Sequence, residues 1–146
     1  MSNPIELPGV DLTAIRDRLA TLEYFHGVAD VQSAAQIIEG DISFHPPWAF
    51  VMVESETFAP NRLASGGHRQ MGTVTLSVLF AIPSQRAAED LSDEIEQARR
   101  AVRDILKGWT PPGAQVPLDA IRYSIRLIAD GVIWGEWLFR TRYDLA

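Results

Sequence analysis

The ten residues from 73 to 82 alternate without a break, with Val74, Leu76, Val78, Phe80 and Ile82 on one side and Thr73, Thr75, Ser77, Leu79 and Ala81 on the other. A two-residue period puts successive side chains on opposite faces of a pleated strand, so this segment is a strand with one aliphatic face that a second layer must cover. The next segment supplies such a layer. Ser84 follows Pro83 as a helix N-cap, and Ala88, Leu91, Ile95, Ala98, Val102 and Ile105 recur at spacings of three and four. Acids crowd its first half (Glu89, Asp90, Asp93, Glu94, Glu96) and bases its second (Arg99, Arg100, Arg103, Lys107), which suits the helix dipole and predicts a Glu96 to Arg100 pair. Gly108 ends the helix, and Pro111 and Pro112 prevent its resumption.

The remaining elements follow from the same signals. Asp11 caps a helix whose apolar face is Leu12, Ile15, Leu19 and Leu22, leaving Arg16, Asp17, Arg18 and Glu23 to water. A turn at Gly27 precedes a short helix over 33–38, stopped by Gly40; Pro46 and Pro47 lead into a strand over 48–54. Residues 55–70 have no period and several turn formers, and read as a long loop joining two strands of a hairpin. Two further strands, 121–128 and 132–143, flank Asp130 and Gly131, a hairpin turn pair. The expected fold class is α+β: one domain over 1–146, with a four-stranded, mainly antiparallel sheet of two hairpins and the long and N-terminal helices packed on one face.

Composition narrows the function. The longest apolar run, 74–82, is broken by Thr75 and Ser77 and falls far short of the ~20 residues of a membrane helix. The start of the chain, with Pro4, Glu6, Pro8 and Asp11, lacks the basic then apolar order of a signal peptide, so a cytoplasmic origin is expected. The absence of cysteine removes disulfides, thiolate catalysis and cysteine-bound zinc. A formal charge of −6 argues against a dedicated nucleic-acid binder, since phosphate affinity comes from clustered bases. Lys107 is the only lysine; the other bases are arginines, which favour bidentate and stacked contacts.

No reaction centre emerges. His26, His45 and His68 lack partners at metal-binding helical spacing, and Ser65, Gly66, Gly67, His68 share only glycines with phosphate-cradling loops. No nucleophile elbow is present, and the acids between Glu89 and Glu96 spread around a wet helix surface. Catalytic, cofactor-binding and metal-binding residues are therefore expected to be absent, and no cofactor is expected. Two features point to contact with other proteins. Arg122, Arg126, Arg140 and Arg142, with Trp134, belong to the face of the last two strands opposite Ile133, Trp137 and Phe139. An ordinary polar outer face is the alternative. The loop carries Arg62, His68 and Arg69, with Leu63 its only large aliphatic residue between Pro60 and Gln70, and is expected to order only on assembly. Trp109, directly after Gly108, is expected to be a structural anchor packing near Ile105 or Leu106.

The run Leu106, Lys107, Gly108, Trp109, Thr110, Pro111, Pro112, the later Gly131, Val132, Ile133, Trp134 with Phe139, Arg140, Thr141, and the strand Ala49 to Val53 after Pro47 resemble the tail terminator proteins of long-tailed bacteriophages and prophages. The resemblance implies a non-enzymatic α+β protein of the virion tail, assembled in the host cytoplasm, that forms a hexameric ring on the head-proximal end of the tail tube. It implies three protein partners: further copies of itself, the tail tube protein and a head completion protein. DNA would pass through the ring without specific binding, which suits an acidic average charge, and no membrane is involved. Two alternatives stay open at this level: a small dimeric α+β enzyme or ligand-binding module, with Tyr123, Trp137 or His45 lining a pocket, and a tail tube or tail completion protein.

Overall fold

The computed structural model describes residues 9–30, 46–63, 66–83, 88–129 and 131–145. In chain order the elements are α1 (Leu12–Ala20), β1 (Gly27–Ala29), β2 (Trp48–Phe58), β3 (Gln70–Pro83), α2 (Ala88–Leu106), β4 (Asp119–Ala129) and β5 (Val132–Leu145). The alternating segment is the central strand: β3 pairs antiparallel with β2 on one side and β5 on the other, and β4 pairs antiparallel with β5. The sheet order is β1-β2-β3-β5-β4.

The expected four-stranded sheet is therefore corrected to a mixed, five-stranded one, because β1 runs parallel to the start of β2. Three residues are too few to show a period, and Gly27, read as a turn, is a strand residue. Glycine is needed there because a Cβ would overlap the indole ring of Trp48.

Both helices cover one face. Ile15 and Leu19 of α1 and Ala98, Val102 and Leu106 of α2 meet Ala49 and Val51 of β2, the even-numbered residues 74–82 of β3, and Trp137, Phe139 and Tyr143 of β5. Full burial of side chains such as Leu19, Phe80 and Phe139 stabilises the fold by about 1.5–3 kcal/mol each. Trp137 Nε1 donates to the Arg99 carbonyl at 2.9 Å, pinning α2 to β5. The expected Asp11 cap is formed, with Ala14 N donating to Asp11 Oδ1 at 3.1 Å. Gly108 ends α2 at φ +79°, and Gly131 turns the β4–β5 hairpin at φ +74°. The Glu96 to Arg100 pair also forms, at 3.3 Å.

The loop between β2 and β3 is shorter than expected, covering 59–69, because β2 runs on to Phe58. A bulge between Val53 and Ser55 inserts Glu54 and shifts the alternation by one residue, which erases the strand signal in the sequence. The base of this loop carries backbone bonds from Ala59 N to Met71 O and from Arg62 N to Arg69 O, and Asn61 Oδ1 accepts from Leu63 N and Arg69 N. These bonds replace the structureless connection expected from its composition. The expected 33–38 helix, the Ser84 cap, His45, Ser65 and Asp130 lie outside the described residues.

Candidate interaction surface

The sheet face away from the helices is divided along its strands. At one end Phe50, Ala81 and Trp134 are buried, with Trp48, Met52, Leu79 and Val132 packed around them. Phe50 and Trp134 have ring centroids 5.6 Å apart, and Trp134 is 8% exposed, so its ring is taken up by packing within the chain. In the middle, Ser77 Oγ donates to Glu136 Oε2 at 2.6 Å, and Arg126 Nε lies 3.5 Å from Glu136 Oε1.

The other end is a groove of about 660 Å³. Its floor comes from two cross-strand rows: Thr57, Thr73 and Arg142, and beside them Ser55, Thr75, Arg140 and Asp119. One wall is Val116 and Pro117, held in place because Thr141 Oγ1 donates to the Val116 carbonyl at 2.7 Å and Gln115 N donates to the Arg142 carbonyl at 2.8 Å. Two exposed guanidinium groups beside four hydroxyls form a donor-rich surface suited to carboxylates or backbone carbonyls of a partner.

The structure thus separates the residues singled out in the sequence. Arg140 and Arg142 line the groove. Arg122, exposed, lies on the same face in the row of Leu138, and Arg126 sits at a bulge and reaches Glu136. Arg62, His68 and Arg69 belong to the loop. Arg69 pairs with Asp144 at 2.7 Å, two residues along β5 from Arg142, and His68 Nε2 is 2.6 Å from Gln70 Oε1. The hydrogen bond from Arg69, a second from Gln115 and the nearby positive charge hold the Asp144 carboxyl below its ordinary range. Trp109 is half-buried against the core cluster that includes Leu106, its backbone N donates to the Leu106 carbonyl at 3.1 Å, and the Arg18 guanidinium of α1 stacks 4.7 Å from the ring centroid. Arg18, expected to face water, also donates to the Ile105 carbonyl at 2.6 Å and so caps the end of α2.

Sequence reasoning missed the hydroxyl rows, although their signal was present in the polar side of the β3 alternation. Tyr123, named in the sequence only as a pocket residue of the alternative reading, stacks on Phe80 and lies tilted against Trp137; its hydroxyl has no partner among the described residues, and burial raises its pKa. Among the described residues no group of three or more His, Asp or Glu is placed to hold a metal ion, and no helix is long and apolar enough to cross a membrane.

A mixed sheet covered by helices on one face, with an aromatic patch and an arginine- and hydroxyl-lined groove on the other, defines a small α+β protein. Residues 7–146 match the family described as "Phage tail terminator protein", and the chain belongs to that family. It is a structural protein of the phage tail. Among solved structures, a chain of the "Virion of native gene transfer agent (GTA) particle" is similar in fold, with a TM-score of 0.58 and 17% identity over 94% of this chain and 96% of that one. No curated protein sequence matches the chain.

Proposed function

We propose that this protein closes the head-proximal end of a finished tail tube as a ring of six copies, stops tube growth and presents the surface on which the head docks. The observation that carries this reading is the family match over residues 7–146, which spans every described element. A fold similar to that of a chain in a virion particle supports it. The groove at Arg140 and Arg142 gives the subunit a donor-rich surface for an acidic or carbonyl-rich partner, the tube protein or the head completion protein. The formal charge of −6 suits a ring through which DNA slides without adhering. In solution the subunit is monomeric or in equilibrium with small oligomers, and the tube supplies the template for the ring. Particles assembled without this protein should have overlong tails and unjoined heads, both restored by supplying it in trans. Tails of normal length with heads attached in its absence would refute the proposal.

A further inference from the structure

The five large hydrophobic side chains most exposed among the described residues occupy few places. Val53 (44%) and Phe58 (47%) are on β2, Leu63 (45%) is in the loop that follows it, and Ile121 (40%) and Ile125 (45%) are on β4. Those strands bound the sheet. Among the described residues β4 pairs only with β5 and β1 covers β2 only at residues 48–50, so the outer side of β4, and that of β2 beyond residue 50, have no strand partner there. Soluble proteins ordinarily protect such edges with charge and keep aliphatic groups off them. Here each edge combines exposed apolar groups with an excess of one charge: Glu54 and Glu56 on β2, and on β4 Arg122 and Arg126 against the single acid Asp119 at its start.

We propose that the ring closes through these two edges, the outer side of β2 in one subunit adding to the outer side of β4 in the next, so that an antiparallel sheet runs on between copies of this chain. The inference rests on the ring reading above and assigns its contact. Three features of the fold favour it. Opposite charge on the two edges attracts β2 to β4, while β2 against β2 or β4 against β4 would bring like charges together; the contact is therefore head-to-tail, the kind that closes rings. The strand directions also agree. Each step from β2 through β3 and β5 to β4 is antiparallel, so a following copy in the same orientation sets its β2 antiparallel to that β4. Finally, Val53 and Phe58 lie in register with Leu76 and Gly72, and Ile125 with Gly135, so all three belong to the helix-covered face. Joining the edges would extend that apolar layer across the subunit boundary.

Bulges at Val53/Ser55 of β2, and at Ala120/Arg122 and Ile125/Leu127 of β4, leave residues 55–58 and 122–125 as the regular stretches. A contact this short is weak alone and accumulates only when a template gathers the subunits, while the bulges oppose indefinite strand addition.

The chain has no cysteine, so a cross-linking test has a clean background. Val53→Cys and Ile125→Cys, each at an exposed position, are made singly and mixed at ring-forming concentration or on tail tubes with a short bismaleimide. The expected product is the mixed pair, with little of either homotypic pair, and the chain carrying both substitutions should cross-link into closed rings. In parallel, Glu54→Arg and Arg122→Glu should each lower ring yield about tenfold, and the two together in one chain should recover it. Circular dichroism establishes that each variant is folded. Rings that form normally yet give no mixed product, or that ignore both charge reversals, would overturn the edge contact and leave the ring intact. No ring under any condition, with folded subunits, would overturn the ring reading and this inference together.

Discussion

Replacing Trp109 with Ala should lower stability by about 2–3 kcal/mol without directly touching assembly. A fully buried tryptophan costs about 3–5 kcal/mol on truncation, and Trp109 is half-buried, so roughly half of that applies to its packing against the core. Loss of the Arg18 guanidinium stacked at 4.7 Å adds about 0.5–1 kcal/mol. Arg18→Ala should cost about 1–2 kcal/mol, since it removes the stacking and also the charged bond to the Ile105 carbonyl at the end of α2. The two effects share one contact, so the double variant should be less destabilised than the sum of the singles by about 0.5–1 kcal/mol. Trp109→Phe should retain most of the packing. Urea denaturation followed by far-ultraviolet circular dichroism measures all four proteins, and Trp109→Ala should also lower Tm by roughly 5–10 °C. Unchanged stability, or strict additivity in the cycle, would refute the packing argument. Normal stability with lost ring formation would move Trp109 from the core to an interface.

Asp144 has a depressed pKa in the folded chain, so its tether to Arg69 contributes above the ordinary aspartate value of about 3.9 and is lost as pH falls through the lower folded value; amide exchange over residues 59–69 should rise at that acid limit and at neutral pH in Arg69→Ala. Exchange that is insensitive to both changes would remove the pair from loop bracing. Tyr143 is pushed up to about 12 by burial and by its hydrogen bond to Glu56, so its contribution is complete below pH about 10, the ordinary tyrosine value, and is lost as pH rises through 12. An alkaline ultraviolet titration should show a tyrosine ionising at about pH 12 that is missing in Tyr143→Phe, while the raised Tyr123 remains. Replacing residues 62–69 by an Asn-Gly turn should spare folding, because β2 and β3 keep their pairing, while tails assembled with that variant should be overlong or fail to join heads. Normal tails would remove the loop from the capping mechanism.

The sequence by itself determined the local elements and their caps. The alternation of Val74 through Ile82 marked the central strand, the three- and four-residue spacing from Ile95 to Ile105 marked α2, and Asp11, Gly108 and Gly131 marked boundaries through dihedral and capping preferences that act within a few residues. The run around Gly108 and Trp109, the later Gly131 to Trp134 with Phe139 to Thr141, and the strand after Pro47 together suggested the family. Only the tertiary structure decided what depends on residues far apart in the chain. β1 is a strand because β2 lies beside it; Glu54 is a bulge because Val53 and Ser55 must meet consecutive residues of β3; Arg18 leaves water because Trp109 and the end of α2 pack over it. The groove has the same origin, since its hydroxyls come from β2 and β3, its guanidinium groups from β5 and its wall from residues 116–117. Periodicity reports which way a side chain points along its own strand, whereas a surface is made by the strands that become neighbours, and that choice is settled by burying the shared apolar face.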